Sequence, residues 1–127
     1  MKASKIRLVL QKNHKYIGYC GGVQTKKDRY TIHHIVPVRN GGKITLFKGI
    51  LLNCAVMTRR NHDKFNLIEN EFPLIAEYMN DGFESFNQKT DYSIIKDNKE
   101  ILNKYYPKAR QLVKVRQIEH DRMRRLL

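Results

Sequence analysis

Apolar and polar positions recur with different periods along the chain, and each change of period marks an element. Residues 29–38 (RYTIHHIVPV) are rich in β-branched and aromatic side chains and predict a strand, closed by Pro37 and the turn at Asn40-Gly41-Gly42. Residues 50–57 (ILLNCAVM) predict a second strand, largely buried. Thr58 then suits a helix N-cap, opening a helix from about Arg59 to Glu69. Residues 72–79 (FPLIAEYM) predict another helix, with Pro73 in its first turn and Gly82 past its end. Thr90-Asp91-Tyr92-Ser93 starts a helix through Tyr106, and Pro107 at N1 starts a last one to Leu127, patterned by Leu112, Val115, Ile118 and Met123. Phe65, Phe72 and Tyr78 fall at helical spacing and are assigned to the core. Residues 5–12 (KIRLVLQK) are too few for periodicity to separate strand from helix. Residues 16–22 (YIGYCGG) read as a turn, residues 24–29 as a polar connector, and residues 43–47 as loop or short strand.

Composition narrows the class. A chain of 127 residues with 41% apolar side chains is a single globular domain, or one domain with an appendage. Its 25 Lys and Arg against 12 Asp and Glu give a formal charge of +13, which favours a polyanionic partner, nucleic acid first and an anionic membrane surface second. The two cysteines, Cys20 and Cys54, form no Cys-x-x-Cys pair and predict no disulfide framework. No apolar run reaches the ~18 residues of a membrane span, and the first residues do not make a secretory signal, so a cytoplasmic protein is expected.

The chemistry concentrates in residues 30–66. Histidines can bind a divalent metal and move a proton near neutral pH, and His33, His34 and His62 lie in this stretch with Asn53 between them. On a regular strand His33 and His34 point to opposite faces, so they serve one site only where the strand ends or twists, as Pro37 and the glycine pair allow. His62 and Asn66 are four residues apart and share a helix face. The free N–H groups at the start of that helix, beside Arg59 and Arg60, are expected to favour an anion such as a scissile phosphate. Arg39 and Lys64 are further candidates for nucleic-acid contact. His14 and His120 are expected to be solvated.

The stretch resembles the HNH nucleases, whose fold is the ββα-metal motif. The matching residues are His33-His34-Ile35-Val36-Pro37, Gly41-Gly42, Asn53, Met57 and His62. The segment VMTRRNH is also similar to the end of the HNH domains of RNA-guided nucleases. The resemblance implies an α+β fold with an HNH core over about residues 12–69 and a helical extension over about 70–127. It implies that His34 is the general base and that Asn53 orients it and braces the loop. It implies that His33 and His62 ligate one divalent metal ion, with Asn66 a weaker ligand at a position one helical turn on. Mg²⁺ or Mn²⁺ is the first expectation, and the donor types also suit Zn²⁺ or Ni²⁺. The implied activity is hydrolysis of DNA, double-stranded DNA first, in a bacterial or phage-infected cell, in a phage or mobile-element setting. A free imidazole titrates near ~6.5, so activity is expected to rise from mildly acid toward slightly alkaline pH.

Many HNH proteins also carry a four-cysteine zinc knuckle around the core. Here one cysteine, Cys20, fills the first pair's slot, and Thr58 and Asn61 stand where the second pair would be. A structural zinc site needs four ligands, so none is expected. Packing of Ile17, Tyr19, Cys20 and Val56 would take its place. The rival readings are a catalytically inactive HNH-fold module that binds nucleic acid, and a basic ribosomal or RNA-binding protein.

Overall fold

The computed structural model describes residues 2–13 and 17–127, and its order is helix, strand, a small hairpin, strand, then three helices. The expectation for His14 and the first residue of the 16–22 turn lie outside the described residues. The class is mixed α and β, with four helices and two two-stranded sheets among the described residues. No described helix is long and apolar enough to cross a membrane.

Residues left open between strand and helix form helix α1 (Ala3–Asn13), which buries Ile6 and Leu10, one turn apart, beside strand β1. Strand β1 (Tyr30–His34) pairs antiparallel with a later strand (Cys54–Thr58), in the register Tyr30 with Thr58 through His34 with Cys54. Between them come a 3₁₀ turn (Val38–Asn40) and a hairpin of β2 (Thr45–Phe47) and β3 (Ile50–Leu52), which makes the partner of β1 strand β4. The hairpin turns on Lys48 and Gly49, both at positive φ, which matches the twist of the flanking strands.

The single strand expected over residues 50–57 is therefore two. Asn53 has φ 66°, a left-handed conformation that breaks the extended run, so β3 pairs with β2 and β4 with β1. All five residues of β4 are buried, because both its faces and its second edge are covered. The Tyr19 N–H donates to the Val56 carbonyl at 2.8 Å, capping that edge with the glycine-rich 18–22 turn.

Helix α2 (Arg59–Glu71) follows β4 without a loop and buries Phe65 and Ile68. Helix α3 (Pro73–Gln88) buries Ala76, Met79, Phe83 and Phe86, a spacing of three and four that makes one stripe. Each buried phenylalanine contributes roughly 1.5–3 kcal/mol by leaving water. Tyr78, expected in the core, is exposed on the other face of α3, where its hydroxyl donates to Asp97 at 3.0 Å. Gly82 does not end α3; it lies inside, facing Ile94 and Asn98 of the next helix.

Helix α4 (Tyr92–Leu126) is capped by Asp91, which accepts from the Ser93 N–H. It is continuous through Pro107, where two helices were expected. Proline removes the rung to the Asn103 carbonyl, but Asn103 is exposed, so that carbonyl is not buried without a partner. Ile95, Asn98, Leu102 and Ala109 are buried, and the buried Asn98 amide donates to the Tyr19 carbonyl, tying α4 to the 18–22 turn. Tyr19, Cys20 and Val56 are all in the core. Cys20 and Cys54 are free and buried, and burial pushes each thiol up to about 12, so both stay protonated.

Candidate active site

Alternation along β1 sends Thr31 and His33 to one face and His34 to the other. The first face meets α2. His33 is buried there, its ring against Phe65 at 4.7 Å and Phe83 at 5.9 Å between centroids. Its Nε2 lies 2.8 Å from Asn80 Oδ1. An amide oxygen only accepts, so Nε2 carries the proton and Nδ1 the lone pair. Burial, and to a smaller degree the neighbouring His34, hold His33 below its ordinary value, while the Asn80 bond opposes the shift.

His62 sits on the first turns of α2, with its ring centre 5.4 Å from that of His33. Its Nδ1 is 2.8 Å from Thr31 Oγ1, and that hydroxyl also lies 3.1 Å from the Met57 carbonyl. The hydroxyl has one proton, which the carbonyl must receive, so Oγ1 accepts from Nδ1–H. His62 Nε2 is thereby left with its lone pair. Burial, His33 and Arg59 lower the pKa of His62, against a smaller pull from Asp63 and Glu69.

His34 and His62 line one open cavity of about 700 Å³, with Arg7, Thr31, Lys43 and Arg59. Among the described residues no carboxylate lines it. Arg7, from α1, also reaches the Tyr30 carbonyl at 3.4 Å. Three cations around two imidazoles suit a phosphate group.

Asn53 holds the loop that follows His34. Its Oδ1 accepts from the Val36 N–H at 2.6 Å, and its amide donates to the carbonyls of Val36 and Lys43. Its own N–H donates to Glu84 at 3.0 Å. Gly42 passes so close to this loop that a Cβ there would lie 1.7 Å from the Val36 carbonyl oxygen. The glycine is required by that approach rather than by its φ.

The start of α2 is not the open anion site expected of it. The N–H groups of Arg59, Arg60 and Asn61 already donate to the Arg29 carbonyl at 2.8 Å, Asp28 Oδ1 at 2.8 Å and Thr58 Oγ1 at 3.3 Å. The chain satisfies these donors itself, so positive charge for a phosphate must come from side chains.

The structure brings His33 beside His62, puts His34, His62 and Arg59 on one cavity, and holds the His34 loop through Asn53. It does not bring in the other candidates. Asn66 is exposed and outside the cavity lining, as are Arg39 on the 3₁₀ turn and the Arg60 side chain. Lys64 lies 5.1 Å over the Tyr106 ring on another side of α2. His120 is exposed beside Asp121.

Sequence reasoning missed Arg7, Thr31, Lys43, Asn80 and Glu84. Two signals were present. Thr31 stands two residues before His33 and so shares its strand face. Asn80, Glu84 and Asn87 recur at four and three residues along α3, a polar stripe beside its apolar one. Each meets the sheet: Asn80 at His33, Glu84 at Asn53, and Asn87 at the Cys54 carbonyl and the Tyr19 hydroxyl.

Two imidazoles bound to one ion at ~2.0–2.1 Å have ring centres about 5 Å apart, which the spacing of His33 and His62 approaches. Both rings favour the neutral form a ligand needs. Among the described residues no cluster of three His, Cys, Asp or Glu forms. The ring spacing is compatible with the pair giving two ligands to a divalent ion, and His33 itself is not among the residues lining the cavity. Compared with protein-family models, curated proteins and solved structures, the chain matches none.

Proposed function

We propose that this protein is a metal-dependent endonuclease of the HNH type that hydrolyses DNA phosphodiester bonds. The observation that carries the reading is the shared cavity: His34 and His62, 28 positions apart on strand and helix, face one space ringed by Arg7, Lys43 and Arg59 with no carboxylate. His34 takes the proton of the attacking water. Arg7, Lys43 and Arg59 hold the phosphate and share its developing charge. His62 and His33 would hold a divalent ion, His62 through Nε2. A bound divalent ion supplies Lewis-acid charge to the phosphoryl and leaving oxygens. A donor set of imidazoles without carboxylate suits Zn²⁺ or Ni²⁺ better than Mg²⁺ or Mn²⁺. Asn53 fixes the loop after His34 and so limits where that ring can point.

The second reading is an HNH-fold module that binds nucleic acid without cutting it. It is favoured by the small donor set, with His33 buried and already bonded to Asn80. Plasmid nicking separates the two, run with Mg²⁺, Mn²⁺ or Zn²⁺ and with chelator. The expected outcome is metal-dependent nicking that His34→Ala lowers by about 10²–10⁴-fold. Equal inertness of both proteins, with DNA binding retained, decides for the binding module.

A further inference from the structure

Turning α2 by two residues, roughly 200° at 3.6 residues per turn, leads from His62 to Lys64 and to a different cavity. It is an open groove of about 720 Å³ between α2 and α4, lined by Leu67, Tyr106, Pro107, Arg110 and Lys114 among others, with no acidic side chain. The Tyr106 ring gathers cations from both helices. Lys64 Nζ of α2 lies 5.1 Å from its centroid, and the Arg110 guanidinium of α4 lies 5.8 Å from it. The neighbouring Tyr105 does the same for Lys104 and Lys108, at 5.4 and 5.3 Å. Among the described residues, Arg116 is the one lysine or arginine in an ion pair, with Glu71. Among the described residues Lys64, Arg110 and Lys114 therefore have no acidic partner within 4 Å, and one aromatic ring contacts the first two.

We propose that this groove is a second binding surface for the sugar-phosphate backbone of nucleic acid, in which Tyr106 sets Lys64 and Arg110 as a pair. The aromatic ring orders two flexible side chains before the ligand arrives, and a polyanion supplies their countercharge. The shape favours a strand over a lipid surface, because a flat bilayer does not enter a cleft between two helices. The inference shares with the proposed function the premise that nucleic acid is the partner, and does not depend on metal or on catalysis.

The test is fluorescence anisotropy of the full chain on a short labelled DNA duplex across a salt series. Lys64→Gln/Arg110→Gln is compared with wild type and with Lys26→Gln/Lys27→Gln, which removes the same charge from the polar connector. Circular dichroism checks that each variant is folded. The groove variant is expected to weaken binding and to reduce the slope of log affinity against log salt by about two, the share of two phosphate contacts. The connector variant is expected to keep the wild-type slope. If wild type binds and the groove variant keeps its slope, the groove is not the surface, and the nuclease reading is untouched. If the connector variant loses as much, the effect is net charge and the inference fails. Wild type that does not bind duplex at low salt sinks both readings. Phosphatidylglycerol vesicles that compete better than duplex per phosphate overturn the inference in favour of a membrane partner.

Discussion

A threonine hydroxyl has one proton to give, and at Thr31 that fact sets the state of a histidine. Because the proton goes to the Met57 carbonyl, His62 donates through Nδ1 and keeps its lone pair on Nε2. Such an outer partner is typically worth 10–100-fold in metal affinity. Thr31→Val is expected to lower Zn²⁺ affinity by about that factor in calorimetry, and to mix the two His62 tautomers in nitrogen-resolved NMR. Thr31→Ser should restore both readouts. An unchanged Nδ1-protonated tautomer in Thr31→Val would remove Thr31 from the site. The positions of His33, His34, Asn53 and His62 were marked by the resemblance to the HNH motif rather than by any local pattern. Their partners did not stand out. Asn80 reaches His33 only because α3 crosses the sheet, a tertiary fact with no local signature beyond a polar stripe.

Elements were legible where local chemistry and burial agree. Thr58 caps α2 through its own hydroxyl, and the β-branched run of β1 is a strand, as the pattern alone suggests. Glycine and proline misled where burial outweighs propensity. Helix α3 continues past Gly82 because Phe83 and Phe86 complete its buried stripe, and α4 continues past Pro107 because Ala109 still packs. The break at Asn53 was hidden for the opposite reason: its left-handed turn is stabilised by bonds to residues 36, 43 and 84, none of them local. Gly82 offers a direct test. A Cβ there would meet Ile94 Cγ2 at 3.5 Å and Asn98 Oδ1 at 3.6 Å, ordinary contact distances. Gly82→Ala is expected to stabilise the fold by about 0.5–1 kcal/mol through helix propensity. The measurement is a urea midpoint raised at unchanged slope; a lowered midpoint would mean that α3 and α4 sit closer than described.

At the scale of the molecule, two half-hidden imidazoles link folding to proton concentration. His33 and His62 are both held below their ordinary value, first of all by burial. The unfolded chain therefore takes up protons near ~6.5 that the folded chain refuses. Their contribution to stability is whole above that value and is lost as the pH falls through it toward the folded values. The melting temperature is expected to be lower at pH 5.5 than at pH 7.5, and His62→Gln should flatten that difference. The comparison belongs in high salt, because charging histidines on a chain of +13 also adds general repulsion. A melting temperature constant across this window would argue that the rings are more solvated than their packing indicates. The overall charge and the α+β class could be read from composition and pattern, whereas the way α1 closes over the cavity with Arg7 could not, because residues 5–12 are too short to declare a period.

The carboxylate of Asp28, seated on the Arg60 amide, has a directional effect. It places a negative charge on the axis of α2, at the end where a helix would otherwise draw anions in. Under the proposed function, a strand would then take its positive contacts from the guanidinium of α1 and the lysine of the braced loop, at the side of the helix rather than on its axis.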